Sequence, residues 1–141
     1  MNLDVVTAGE PMVLFAAQQA GPLEAVDHFT RTVAGAELNV AIGLARLGLR
    51  VGYITRVGDD SFGRTLQAAL RREGIDGRAV EVDPLHRTGF MLKSRSDDGS
   101  DPMIEYFRAG SAASRIEATP ALSAHAAGAR HLHLTDGRAH V

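Results

Sequence analysis

The sequence predicts an α/β fold: a parallel sheet covered by helices on both faces, with extra β hairpins standing off it. Short apolar runs with β-branched residues, at Leu3 to Ala8 and Val51 to Val57, read as buried strands. They alternate with helix-like stretches closed by glycine, Ala36 to Leu47 and about Phe62 to Glu73. That alternation is how parallel strands are connected. Two further β-like segments, at about 12–33 and 88–108, fall outside it and read as hairpins standing off the sheet.

Taken in order, Leu3 to Ala8 stops at Gly9, and Met12 to Ala16 is a second short strand that runs into a polar stretch through Gly21-Pro22. Phe29 to Val33 alternates as a third strand. In the first helix, Leu38, Ile42, Ala45 and Leu47 form the expected apolar stripe, with Gly48 as the stop. After the strand Val51 to Val57, Asp59-Asp60-Ser61 offers capping oxygens for the second helix, which Gly74 ends. Ala79 to Val82 is a short strand. Thr88 to Arg95 and Met103 to Arg108 read as hairpin arms joined by the loop Ser96 to Pro102. Thr119-Pro120 is a cap followed by the proline favoured in a first helical turn, and His131 to Thr135 is the last strand.

Composition bounds the function. At 141 residues the chain holds one compact domain, here read as residues 1–141 in a single unit. A net charge of −2 gives no electrostatic footprint for nucleic acid or an anionic membrane. No apolar run approaches the roughly 18 residues needed to span a bilayer. There is no cysteine, so disulfides and thiolate metal sites are excluded, and Met1-Asn2-Leu3-Asp4 lacks a signal peptide's basic region. Cytoplasm is the default expectation.

The strongest chemical signal is Ala34-Gly35-Ala36-Glu37-Leu38-Asn39. A glycine lets a ligand approach the backbone, and the first amides of a helix have no intrahelical acceptor. Asn39, one turn in, offers a donor and an acceptor suited to a sugar hydroxyl. A tight turn before an ordinary helix would look the same. Other signals carry less. His131 and His133 share a strand face without a third ligand, and Asp97, Asp98 and Asp101 lack calcium-loop spacing. Asp59 and Asp60 read as helix caps rather than an acid/base pair. No metal site is expected, and there is no Walker-type phosphate loop.

The run Ala34-Gly35-Ala36-Glu37-x-Asn39-Val40-Ala41, then Leu44-Ala45-Arg46-Leu47-Gly48, resembles the first signature of the ribokinase-like (PfkB) carbohydrate kinases. Gly52 to Gly63, with Val57-Gly58-Asp59-Asp60-Ser61-Phe62-Gly63, is similar to that family's next segment. The resemblance implies a Rossmann-like, ribokinase-like domain, incomplete here. Glu37 and Tyr106-Phe107-Arg108-Ala109-Gly110-Ser111-Ala112-Ala113-Ser114 resemble the 2-keto-3-deoxygluconate kinase branch, in which an aromatic pair followed by Arg contacts an open-chain or cyclised keto-sugar acid. A guanidinium forks onto a carboxylate, which a neutral sugar does not need. Thr88-Gly89-Phe90-Met91-Leu92 resembles the lid strand, with Met91 where relatives often carry a substrate-contacting aromatic. The residues expected at the sugar are therefore Gly35, Ala36, Asn39, Met91, Tyr106 and Arg108. The resemblance also implies that the segments at about 12–33 and 88–108 form a β lid, and that a homodimer forms through it.

ATP and Mg²⁺ serve the full-length family enzyme, but its Gly-Ala-Gly-Asp and Asn-x-x-Glu segments are not found here. No catalytic residue is assigned in this chain, and neither ATP nor Mg²⁺ is expected to bind it alone. The chain reads as the N-terminal, substrate-binding half, ending in Asp136-Gly137-Arg138-Ala139-His140-Val141 where relatives continue into a glycine-containing loop. A truncated or frame-shifted reading frame, or an expressed fragment, is the expectation. The competing readings are a non-catalytic sugar-binding or interaction module, and a fructokinase- or ribokinase-type specificity.

Overall fold

The computed structural model describes residues 2–135, so the tail from Asp136 to Val141 lies outside the described residues. Among these, eight strands form two four-stranded sheets. The first is parallel, in the order β5 (Val80–Asp83), β4 (Val51–Gly58), β1 (Leu3–Ala8), β8 (Ala129–His133). Helices α1 (Ala36–Arg46) and α2 (Ser61–Arg72) cover one face. Their Leu38, Ala41, Leu66 and Leu70 pack with Val51, Tyr53 and Val57 of β4. The short helix α3 (Pro120–Ala127) covers the other face, setting Leu122 and Ala126 against Val6, Ile54 and Ala79. Odd and even positions of β4 thus serve opposite layers, as strand alternation dictates.

The second sheet runs β3 (Phe29–Ala34), β2 (Met12–Ala20), β6 (Phe90–Arg95), β7 (Ile104–Phe107). The two antiparallel pairs are joined by a parallel pairing of β2 with β6, which makes one sheet of segments far apart in sequence. Partners across strands lie on the same face. Val33, Val13, Phe90 and Phe107 therefore share the inner face, and Thr32, Leu14, Met91 and Tyr106 the outer one. The inner face meets α2 through rings: Phe15 and Phe90 lie 5.6 and 5.5 Å from Phe62, and Phe107 stacks on Phe90 at 4.7 Å.

The capping signals act locally. Asp60 accepts from the Gly63 amide at 2.7 Å, and Thr119 from Leu122 at 3.2 Å. Gly48 and Gly74 end their helices at φ +90° and +70°, a region that favours glycine. One expectation is corrected. Leu47 does not extend the apolar stripe of α1: the helix closes at Arg46, and Leu47 is its cap and 80% exposed. The buried residues of α1 are Glu37, Leu38 and Ala41. No helix among the described residues is long and apolar enough to cross a membrane.

Candidate functional site

From β1 the chain moves to β4 and β5 on one side and returns to β8 on the other, so the strand order reverses between β1 and β8. Ligands of open parallel sheets bind outside the carboxyl ends of the strands at such a point. Three segments converge there: Gly9-Glu10 after β1, the start of α1, and Thr135 after β8.

Gly35 opens α1 at φ +136°, and a Cβ on it would stand 2.8 Å from the Glu10 carbonyl oxygen. Only glycine fits that turn. Ala36 and Asn39 are exposed, and the Asn39 amide closes the first helical turn on Gly35 O at 2.9 Å. Glu37 points inward instead. Its carboxylate accepts from the Thr135 hydroxyl and lies where a Cβ on Gly9 would stand.

Glu10 links this turn to the second sheet. Its carboxylate accepts from the Ser111 hydroxyl, and Oε1 lies 3.8 Å from Nη1 of Arg108. Burial raises the Glu10 carboxyl above its ordinary range, against the lowering by Ser111 and Arg108, and the nearby Glu37 adds to the rise. Arg108 is largely covered, with 19% of its side chain exposed, and its guanidinium sits 4.9 Å over the Tyr106 ring. Gly89 lies beneath: a Cβ there would be 3.0 Å from both Arg108 Cβ and Glu10 Oε2. The Tyr53 hydroxyl is buried without a hydrogen-bond partner among the described residues. Burial, then the charges of Glu37 and Glu10, push its ionisation well above the ordinary value.

The structure therefore brings Gly35 and Arg108 to either side of Glu10. Tyr106 is exposed on the outer face of the second sheet, whereas Met91, its partner across the strands, is buried at 7%. The sequence did not single out Glu10, Tyr53 or Thr135, and carried Ser111 only within the run that follows Arg108. Glu10 was findable, since it follows the first strand at the position where parallel sheets collect ligands. His133 lies 3.2 Å from Thr7 Oγ1, and no group of three metal-ligating side chains occurs among the described residues.

Residues 2–137 match the family described as pfkB family carbohydrate kinase. The chain belongs to that family. Over 136 residues it is 42% identical to the 2-dehydro-3-deoxygluconokinase of Bacillus subtilis, a match covering 96% of this chain and 42% of that protein. It thus spans about two-fifths of the length of that curated relative. An Escherichia coli fructokinase is 48% identical over 65 residues, 46% of this chain and 21% of the relative. Among solved structures, a PfkB protein from Polaromonas sp. JS666 superimposes with a TM-score of 0.86 at 50% identity, covering 93% of this chain and 44% of that one. The 2-dehydro-3-deoxygluconokinase of Thermotoga maritima superimposes with a TM-score of 0.82 at 28% identity, covering 94% and 40%. The ribokinase-like α/β fold expected from the sequence is the fold found.

Proposed function

We propose that this chain is the substrate-binding part of a PfkB kinase that phosphorylates a keto-sugar acid, with 2-keto-3-deoxygluconate (2-dehydro-3-deoxygluconate) as the leading substrate. The observation that carries this reading is Arg108, stacked over Tyr106 and only 3.8 Å from Glu10 at the carboxyl ends of the parallel strands. A guanidinium held there by a ring and a carboxylate is oriented to take a second carboxylate, that of the sugar acid. Across Glu10, the first-turn amides of α1 and the exposed Asn39 side chain suit sugar hydroxyls. Met91 serves beside Tyr106, its partner across the strands, the second sheet acts as lid, and its exposed β7 edge is the surface for a homodimer. The Bacillus subtilis relative's name agrees with the acid substrate.

No step of phosphoryl transfer is assigned to side chains of this chain. A second reading, a neutral-sugar specificity, is favoured by the fructokinase match. Calorimetry with 2-keto-3-deoxygluconate, fructose and ATP separates these. Binding of the sugar acid that is lost in Arg108→Ala is expected. Equal binding of fructose by both proteins would replace the acid reading, and binding of no sugar would remove both.

A further inference from the structure

The aspartate that caps α2 has a second set of partners. Asp60 Oδ1 accepts from the Gly63 amide at 2.7 Å, as a helix cap does. The same oxygen accepts from the Thr88 hydroxyl at 2.8 Å, and Oδ2 accepts from the Thr88 amide at 2.9 Å. Thr88 is 5% exposed, and its Oγ1 in turn accepts from the Gly58 amide at 2.8 Å. The end of β4, the start of α2 and the segment entering β6 are thus tied at one carboxylate.

The packing leaves no slack at this knot. A Cβ on Gly58 would collide with Asp60 Oδ2 and stand 2.7 Å from His86 O and 2.8 Å from Thr88 N. One on Gly63 would collide with Gly58 O and stand 3.1 Å from Thr88 Oγ1. A helix cap requires none of these contacts. Burial pushes the Asp60 carboxyl up, but the bonds from Thr88 and Gly63 outweigh it and hold the group ionised below its ordinary range.

We propose that Asp60 is a positioning residue for the candidate site: through Thr88 it fixes the root of β6, and with it the placement of Met91 and Arg108. The link is short. Gly89, next to Thr88, is the floor for Arg108 Cβ and Glu10 Oε2, and its carbonyl accepts from the Val13 amide of β2 at 3.4 Å. On the other side of Thr88, the Arg87 carbonyl accepts from the Ala112 amide at 2.8 Å, just after the Arg108–Ser111 turn. A shift of Thr88 therefore moves both strands of the β6–β7 pair against Glu10. This rests in part on the sugar-acid reading, which supplies the ligand that Arg108 meets.

Asp60→Asn separates capping from positioning. Asn caps a helix as well as Asp does, but its amide NH₂ then confronts the Thr88 N–H, and that bond is lost. Hydrogen exchange read residue by residue on the whole chain gives the first test. Exchange at residues 89–92 and 106–108 should rise about tenfold, while the amides of α2 beyond its first turn stay near wild type. Thr88→Ser, which keeps the hydroxyl, should exchange like wild type there. Faster exchange confined to the first turn of α2, or spread evenly over the β1 and β4 core, overturns the proposal. Calorimetry with 2-keto-3-deoxygluconate gives the second test: affinity should fall about tenfold in Asp60→Asn and recover in Thr88→Ser relative to Thr88→Val. Faster exchange at the root with unchanged affinity also overturns it. If the wild-type chain binds no sugar acid, the substrate reading fails, and the exchange pattern alone decides whether Asp60 fixes the lid root.

Discussion

Gly35 and Glu10 are neighbours in space that differ in how plainly the sequence announces them. A glycine one residue before a helix marks its own turn, because only glycine holds φ +136° against the Glu10 carbonyl without strain. Gly35→Ala should therefore cost about 2 kcal/mol or more in urea unfolding, well beyond an ordinary surface substitution. Glu10 has no such local mark: its meaning comes from Arg108 and Ser111, about a hundred positions away. Its carboxyl is raised above 4.5 by burial, so the native state holds the proton more tightly than the unfolded chain. The group's contribution to stability is then greatest at or below that ordinary value and declines as pH rises through the native one. Glu10→Gln should remove this decline. The variant's stability relative to wild type should increase from pH 4.5 to pH 7.5 in paired urea titrations, and a difference independent of pH would contradict the assignment. The Asp60 and Asp4 carboxyls, both held below the ordinary range, titrate in a lower window and cancel in the comparison.

Strands and helices were legible one by one, since their signals are local: β-branched runs, Thr119-Pro120 at α3, Gly48 and Gly74 at helix ends. Leu47 shows where that reading stops. Its spacing continues the stripe of α1, yet Gly48 turns the chain and leaves Leu47 in solvent, while the interior takes Glu37, a residue that no hydrophobic pattern would nominate. The pairing of β2 with β6 was not legible either. It joins segments some seventy residues apart, and parallel pairing leaves no turn motif between them. What fixes it is the inner aromatic face, where Phe15 and Phe90 on adjacent strands meet Phe62 of α2. Phe62→Ala should cost about 2–4 kcal/mol, through lost burial and lost ring contacts. Near-UV circular dichroism and urea unfolding check it, and Phe62→Leu should recover more than half of the loss.

At the scale of the whole molecule, the parallel sheet is well covered at one end and open at the other. β4 and β5 lie beneath α2, whereas among the described residues β8 pairs with β1 alone. Along β8 and just past it, Leu132 and Leu134 are 52% and 60% exposed, and α3 has no buried residue. An edge strand carrying apolar side chains and unpaired backbone groups is a template for another strand. A second self-association, through β8 and additional to the homodimer proposed at the β7 edge, follows, and it should be weakened by placing charge on the edge. Leu132→Lys should shift sedimentation profiles toward smaller species and lower light scattering on concentration, with little change in the urea midpoint, because the replaced side chain is already half in water. A charge on the β7 edge, as in Ile104→Lys, is the counterpart. If that substitution and not Leu132→Lys dissolves the assembly, the contact between copies runs through the second sheet alone, and the β8 edge is not an adhesive surface.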